Sequence, residues 1–140
     1  MRRRILVLLA SFAIALAVPL TAASPAQATY PIPDGCSSGY LCMYNFIQHR
    51  ESDGVGKLTG SNKWLSHFPH STCPEGTWNN CMSSVYNATT KCFHLHQGTE
   101  YTLGYHNLSP GDGFPDMGAT TSLNNQVSSV KQGSSSSCNF

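Results

Sequence analysis

Two short polar motifs carry the residues best suited to ligand binding. Residues 79–85 (NNCMSSV) and 124–130 (NNQVSSV) are identical at five of seven positions and lie 45 residues apart. Paired asparagines favour left-handed turns, and the serine hydroxyls can bond back to such a turn. Each motif gathers amide, hydroxyl and carbonyl oxygens, the hard ligands that Ca²⁺ prefers. The repeat predicts two arch-shaped loops, either calcium sites or arches kept only for their role in folding.

The segments that position these motifs are short and apolar, which indicates strands. No window of the chain keeps the i, i+3, i+4, i+7 spacing of an amphipathic helix. Short β-branched and aromatic runs between Gly, Asn and Pro clusters favour an all-β sandwich or barrel. The predicted strands are residues 41–44, 84–86, 91–95 and 127–130, and the predicted loops are 48–56 and 107–121.

The chain divides into two similar units. A cysteine-led strand precedes each motif, at residues 42–44 and 92–94, 50 positions apart. The units span about residues 35–87 and 88–138, and neither is large enough to bury a core alone. We expect them to pack face to face as a single domain within residues 29–140.

The N-terminus reads as a secretory signal peptide. Three arginines (residues 2–4) precede a 14-residue apolar run at residues 5–18, and Ala26-Gln27-Ala28 supplies a cleavage site. The run is shorter than the roughly 20 residues that a membrane span needs. We expect residues 1–28 to be removed and the rest to be secreted, without membrane attachment.

The predicted mature chain is sparsely charged. The formal charge of +1 for the full sequence includes those three arginines, so the mature part carries five cations against seven anions. Nucleic-acid binding requires a concentrated basic face, which this composition excludes.

All six cysteines lie in the mature chain, and an even number in a short exported protein predicts a disulfide framework. Pairing of Cys73 with Cys81 would close a short loop, and pairing of Cys92 with Cys138 would fasten the tail. Six cysteines allow many connectivities, so the pairing stays open at this point. The six are Cys36, Cys42, Cys73, Cys81, Cys92 and Cys138.

The sequence contains no recognisable catalytic motif. There is no G-x-S-x-G motif, oxidised cysteines leave no thiolate, and the seven acidic residues are scattered singly. His94 and His96 would share one face of a strand, where exposure is expected, and the other histidines lie in dissimilar loops that do not suggest zinc. The sequence predicts a non-enzymatic protein.

The two tryptophans differ in context. Trp64 fits a strand and is expected in the core. Trp78 lies between Cys73 and Cys81, and on a tethered loop it is an interface candidate, with folding back onto the sheet as the alternative. A glycan-binding platform would need Trp78, Tyr101 or Tyr105 to be exposed.

The doubled motif [Asn/Asp]-[Asn/Asp]-x-x-[Ser/Thr]-Ser resembles that of the microbial βγ-crystallin module. Residues 36–42 (CSSGYLC) are similar to the start of secreted actinobacterial proteins grouped with the I36 peptidase inhibitors. The resemblance implies an all-β, βγ-crystallin-like Greek-key sandwich of two repeated units, with two four-stranded sheets and a Cys36–Cys42 disulfide. The family's aromatic-x4-aromatic-x-Gly hairpin spacing is absent, so we expect the first hairpin of each unit to be rebuilt.

The resemblance also implies a calcium ligand set in the two arches, with Ser84 and Ser129 holding the loops. Both motifs lack a carboxylate, so the expected dissociation constant is about 10⁻⁴–10⁻³ M. The implied ligands are Asn79, Asn80, Cys81 (through its carbonyl), Ser83, Asn124, Asn125, Gln126 (through its carbonyl) and Ser128.

For function, the resemblance implies a secreted, monomeric inhibitor whose disulfide-held loops plug the cleft of an extracellular peptidase. The candidate loops are residues 74–80 and 110–119. The alternative is a calcium-stabilised structural or binding protein, or an antimicrobial protein of the killer-toxin kind.

Overall fold

Residues 30–138 are described by a computed structural model and form two antiparallel β-sheets. The predicted signal peptide, residues 1–28, lies outside the described residues. The strands are β1 (Leu41–Tyr44), β2 (Gly56–Leu58), β3 (Ser84–Asn87), β4 (Phe93–His96), β5 (Tyr105–Leu108), β6 (Gly113–Phe114) and β7 (Ser129–Gln132). A 3₁₀ turn covers Leu65–His67, and one short helix, α1, covers Met117–Thr120. Within residues 30–138, no helix has the length and apolarity to span a bilayer.

Each half of the chain contributes residues to the sheet formed mainly by the other half. The first sheet has the order β2-β1-β3-β6, although β6 belongs to the second half of the sequence. The second sheet has three strands, in the order β5-β4-β7, where the resemblance implied four, and Asn62 of the first half forms a bridge to Val130 at its edge. Each sheet therefore contains chain from both halves. The all-β class predicted from the sequence is confirmed.

All four predicted strands are present, and the bounds of some differ by one or two residues from the prediction. β1 matches its predicted bounds, whereas β4 and β7 each begin two residues later than predicted. The prediction of a loop over residues 107–121 is wrong, because this stretch contains β6 and α1. Asp116 caps α1 by accepting a hydrogen bond from the Ala119 N–H at 3.0 Å. A helix of four residues is too short to produce a periodic sequence signal.

Between the two sheets lies an apolar core. Alternate residues of the central strands point into it, among them Met43, Val85, Leu95 and Val130. On the outer face of the first sheet Cys42 and Tyr86 are also buried, whereas Lys57 is exposed, and the segment that precedes β1 covers part of this face. The Tyr86 hydroxyl donates to the Tyr30 carbonyl at 2.6 Å.

Three disulfides pair all six cysteines: Cys36–Cys42, Cys73–Cys81 and Cys92–Cys138. These are the pairs that the sequence and the resemblance favoured. The third bond ties the C-terminal tail to the residue before β4 and encloses 46 positions of sequence separation. The framework therefore fixes the start of the first sheet, the loop before β3 and the tail.

Trp78 is a core residue: of the two alternatives that the sequence left open, the structure shows the loop folded back onto the sheet and not an exposed interface anchor. Its side chain is 1% exposed, and its ring stacks on His70 with centroids 4.2 Å apart and planes 8° from parallel. Its backbone N–H donates to the Phe68 carbonyl at 2.9 Å. At Gly56 a Cβ atom would come within 2.6 Å of the indole. The disulfide-closed loop thus folds inward onto the first sheet.

Trp64 was expected in the core but is 38% exposed. Its neighbour Leu65 is fully buried and takes the inward position at the start of the 3₁₀ turn. The Trp64 ring instead lies beside His67, with centroids 5.7 Å apart. Adjacent residues in an extended segment point to opposite sides, so only one of the two can enter the core.

Candidate functional site

The two polar motifs form arches that lie side by side and bind one another. The Ser83 hydroxyl donates to Asn125 Oδ1 at 3.1 Å, and the Ser128 hydroxyl donates to Asn80 Oδ1, also at 3.1 Å. The second asparagine of each motif is thus held by the first serine of the other motif. This reciprocity explains why the motif occurs twice.

Backbone hydrogen bonds also join the two arches reciprocally. The Asn80 N–H donates to the Val127 carbonyl and the Asn125 N–H donates to the Met82 carbonyl, both at 3.0 Å. Asn80 and Asn125 have φ angles of 53° and 52°, the left-handed region in which asparagine is enriched among non-glycine residues. The sequence interpretation of paired asparagines as arch-forming residues agrees with this geometry.

The second serine of each motif fixes the hairpin turn of its own half. Ser84 Oγ donates to the Phe46 carbonyl at 2.6 Å and accepts from the His49 N–H at 3.0 Å. Ser129 Oγ donates to the Gly98 carbonyl at 2.6 Å and accepts from the Tyr101 N–H at 3.0 Å. The hydroxyl of each serine thus joins an arch to the hairpin turn beside it.

The two hairpin turns share one backbone conformation despite having different side chains. Gln48 and His49 have φ angles of 61° and 52°, and Glu100 and Tyr101 have φ angles of 55° and 65°. The sequence showed only that both hairpins lack the family's aromatic spacing. Both turns have the same serine hydrogen bonds and two consecutive left-handed residues. No pattern of side chains in the sequence predicts this similarity.

Two buried oxygens in the arches lack hydrogen-bond partners. Oδ1 of Asn79 and Oδ1 of Asn124, the first asparagine of each motif, are buried and accept no hydrogen bond. The Asn79 amide nitrogen donates to a Glu75 carboxylate oxygen at 2.9 Å, which turns Oδ1 away from that carboxylate. A buried acceptor without a donor costs about 1–3 kcal/mol. A cation bound at either oxygen would remove that cost there, and amide oxygens are among the hard ligands that Ca²⁺ prefers.

A cavity of about 310 Å³ adjoins the first arch and adds residues that the motifs did not indicate. Asn80, Cys81 and Asn125 line it together with Asn45 and Asp53. Oδ1 of Asn45 is a third buried oxygen without a hydrogen-bond partner. The Asn45 amide nitrogen donates to Asp53 at 3.3 Å. Asp53 therefore provides a carboxylate in this cavity, although it lies 26 positions before the motif.

The predicted ligand residues are only partly brought together. Cys81 is disulfide-bonded and lines the cavity. Gln126 is exposed, and its side-chain oxygen accepts a hydrogen bond from Gln97 at 2.9 Å; the atom predicted to bind calcium is its backbone carbonyl, which this bond leaves free of that donor. Asn45 and Asp53 were missed because they belong to the hairpin after β1, which only the folded chain places beside the arch. Among residues 30–138, no three His, Cys, Asp or Glu side chains converge as a metal site.

His94 and His96 form a buried aromatic cluster, and the prediction that they are exposed is wrong. The His94 ring stacks on Tyr105 with centroids 4.6 Å apart and planes 8° from parallel. The Tyr105 and His96 ring centroids are 5.2 Å apart. Burial lowers the pKa of both histidines, and the positive charge of Lys131 lowers both further. The two imidazoles are therefore neutral in the folded protein at neutral pH.

These lowered pKa values predict that acidification destabilises the fold. In the unfolded chain the imidazoles take up protons near pH 6.5, whereas the folded protein resists protonation until the pH is lower. The free energy of unfolding should fall as the pH drops from about 6.5 through the folded-state pKa values. We expect a lower melting temperature at pH 5 than at pH 7.5. His94→Gln/His96→Gln should reduce this pH dependence, and an unchanged slope would contradict the assignment.

The reciprocal arch bonds predict a measurable coupling between the two halves. Asn80→Ala removes the acceptor of the Ser128 hydroxyl and places alanine at a positive φ, so we expect a loss of about 1–3 kcal/mol. Asn80→Gly keeps the backbone conformation and isolates the side-chain bond. A double-mutant cycle of Asn80→Ala with Ser128→Ala, by urea denaturation, should give a coupling of about 0.5–1.5 kcal/mol. Strict additivity would mean that the bond contributes nothing.

Several solved structures are similar to this chain. A structure from work on the evolution of the eye-lens βγ-crystallin domain fold has a TM-score of 0.56 at 17% identity, over 74% of this chain and 93% of that chain. A βγ-crystallin from Ciona intestinalis has a TM-score of 0.52 at 19% identity, over 68% and 100%. An archaeal βγ-crystallin has a TM-score of 0.51 at 14% identity, over 69% and 99%. The βγ-crystallin-like fold is thereby confirmed.

A comparison with curated proteins gives no match. The sequence profile of peptidase inhibitor family I36 matches residues 31–109, which is more than half of the chain. This range includes the first disulfide, the first arch and the hairpin between β4 and β5. A family of peptidase inhibitors is not a family of enzymes, which agrees with the lack of catalytic motifs. The chain belongs to peptidase inhibitor family I36.

Proposed function

We propose that this protein is a secreted, monomeric inhibitor of an extracellular peptidase that binds through preorganised loops. Together with the family, one observation supports the proposal: four serine hydroxyls join the arches to one another and to the hairpin turns. They are Ser83, Ser84, Ser128 and Ser129. A loop that is already ordered loses little conformational entropy when it enters a cleft. Rigid loops are therefore the property that an inhibitor of this kind needs.

Of the two loops predicted to contact a peptidase, residues 74–80 are the better supported. The Cys73–Cys81 bond closes this loop, and residues 74–76 are exposed above the buried Trp78. Residues 110–119 are not a free loop, because β6 pairs with β3 and Met117 is buried. We therefore withdraw residues 110–119 as a candidate inhibitory loop.

Secretion is supported by the signal-peptide pattern predicted for residues 1–28 and by three disulfides, which persist in oxidising compartments. We expect an exported product that begins at Thr29. Intact-mass analysis of the protein from the culture medium tests this, since a product that retains residues 1–28 would contradict it.

The inhibitory activity is tested with residues 29–140 against extracellular metallo- and serine peptidases. We expect at least one enzyme to be inhibited at or below micromolar protein. A reduced and alkylated sample is the matched control, because it keeps the sequence and loses the three disulfides. Equal inhibition by the control would contradict the role of rigid loops.

Calcium binding is a second candidate property, supported by the unpartnered oxygens of Asn79, Asn124 and Asn45. Asp53 contributes a negative charge near the first arch, so we propose that calcium binds more tightly there than the neutral motif alone suggests. Ca²⁺ would stabilise the arches and leave the fold unchanged.

Isothermal titration of the metal-free protein with CaCl₂ tests this proposal. We expect binding at or below millimolar Ca²⁺, and Asp53→Asn should weaken it while keeping a side chain of the same size. Asp34→Asn, at an exposed residue that lines a different cavity, is a charge-matched control. No heat at millimolar Ca²⁺ would overturn the calcium proposal.

A further inference from the structure

Leu103 is the most exposed large apolar side chain among residues 30–138. Its side chain is 74% exposed, compared with 56% for Tyr30 and 52% for Tyr105. It lies near the end of the hairpin loop of residues 97–104, between β4 and β5, and is followed by Gly104. An apolar side chain that protrudes from a loop gains little within the monomer, whereas burial in a partner would remove its surface from water.

Internal hydrogen bonds brace the loop that carries Leu103. The Gln97 N–H donates to the Gly104 carbonyl at 3.0 Å, and the Gly98 N–H donates to the Thr102 carbonyl at 3.1 Å. The Thr102 hydroxyl donates to the Thr99 carbonyl at 2.7 Å. These bonds fix the loop backbone on both sides of Leu103.

Two further contacts fasten this loop to the rest of the molecule. Ser129 binds the backbone at Gly98 and Tyr101, and the Glu100 N–H donates to the Lys63 carbonyl at 2.9 Å. The Leu103 side chain therefore projects from a fixed base. Preorganisation of this kind lowers the entropy cost of binding.

The backbone at this loop is unlike that of a peptidase substrate. Leu103 has a φ angle of 61°, and Glu100 and Tyr101 also have positive φ angles. A substrate that pairs with the cleft as an added strand must be extended. Leu103 can therefore enter an apolar pocket by its side chain while the Leu103–Gly104 bond stays out of the extended geometry that favours cleavage.

Two exposed aromatic side chains lie in the segments that adjoin the loop of residues 97–104. Tyr105 lies two residues beyond Leu103. Trp64, which is 38% exposed, directly follows Lys63, whose carbonyl accepts the hydrogen bond from the Glu100 N–H. Tyrosine and tryptophan are enriched among residues that dominate binding energy at interfaces. An exposed leucine with exposed aromatic residues in the adjoining segments is suited to a partner that offers an apolar pocket.

We propose that Leu103 is an anchor, separate from the loop of residues 74–80, by which this protein inhibits a peptidase whose specificity pocket accepts large aliphatic side chains. The loop of residues 97–104 presents the side chain and is not itself cut. This inference rests on the proposed inhibitory function and names the residue and the pocket class for it.

The test compares Leu103→Ala and Leu103→Asn with the unchanged protein, using one peptidase that cleaves at large aliphatic residues and one that cleaves after Arg or Lys. Asparagine tolerates a positive φ, so Leu103→Asn keeps the loop conformation and removes the apolar anchor. Ile47→Ala, in the corresponding hairpin of the first half and 43% exposed, is the matched control. Equal melting temperatures confirm that all variants are folded.

We expect inhibition of the aliphatic-specific enzyme, an inhibition constant raised about 10-fold or more in both Leu103 variants, and no comparable change in Ile47→Ala. Intact mass after incubation should show an uncut chain. Inhibition by the unchanged protein that survives both substitutions, or cleavage between Leu103 and Gly104, would overturn this inference and leave the proposed function standing. Absence of inhibition by the unchanged protein would overturn both.

Discussion

Trp78→Ala is expected to lower the free energy of unfolding by about 3–5 kcal/mol, the usual cost of removing a buried tryptophan. The indole is almost fully buried, stacks on His70 and fits against Gly56, where no other residue leaves room for it. Alanine would leave a cavity beside the first sheet. Chemical denaturation followed by circular dichroism measures the loss.

Two further variants separate a core role for Trp78 from a binding role. Trp78→Phe should recover part of the stability because an aromatic ring still fills much of the site. His70→Ala removes the stacking partner and leaves the indole in place, so it should cost less than Trp78→Ala. If Trp78→Ala were as stable as the unchanged protein but inhibited less well, Trp78 would be an interface residue and the core role would be contradicted.

Removal of the Cys92–Cys138 bond is expected to have the next largest effect. With 46 positions of sequence separation, chain entropy alone assigns this cross-link about 4 kcal/mol, compared with about 2 kcal/mol for the short Cys36–Cys42 loop. For a domain of this size, the corresponding fall in melting temperature is roughly 15 °C or more. The bond also holds the tail of the chain, whose Ser135 carbonyl accepts from the Cys92 N–H at 2.9 Å.

The paired variants Cys92→Ala/Cys138→Ala and Cys36→Ala/Cys42→Ala test the order of these effects. Thermal melts of the two proteins under oxidising conditions should place the first well below the second. The reverse order, or equal melting temperatures, would contradict the view that the long cross-link stabilises by restricting the unfolded chain.

Sequence patterns were informative where the chemistry is local. The doubled Asn-Asn-x-x-Ser-Ser motif indicated the arches because asparagine at a positive φ and serine bonded to nearby backbone act within a few residues. The even number of cysteines predicted a disulfide framework, the resemblance supplied the Cys36–Cys42 pair, and the other two pairs stayed open until the structure showed them. The apolar run of β1 matched the strand residue for residue.

The errors came from contacts between residues distant in the sequence. Burial of His94 depends on Tyr105 of the neighbouring strand β5, whose ring stacks on it, and the choice between the two roles considered for Trp78 depends on how its loop folds onto the first sheet. Asp53 reaches the first arch only because the hairpin after β1 lies beside it. Pairing of β6 with β3 crosses between the two halves, and a two-residue strand has too few positions to show an alternating pattern.

A stoichiometric titration gives the most direct test of inhibition by a rigid βγ-crystallin-type domain. A fixed, active-site-titrated amount of the most sensitive extracellular peptidase is mixed with increasing amounts of residues 29–140, and the remaining activity is measured. We predict that activity falls linearly and reaches its minimum at one equivalent, with the inhibitor recovered uncut. Full activity at micromolar inhibitor across the metallo- and serine peptidases would contradict it.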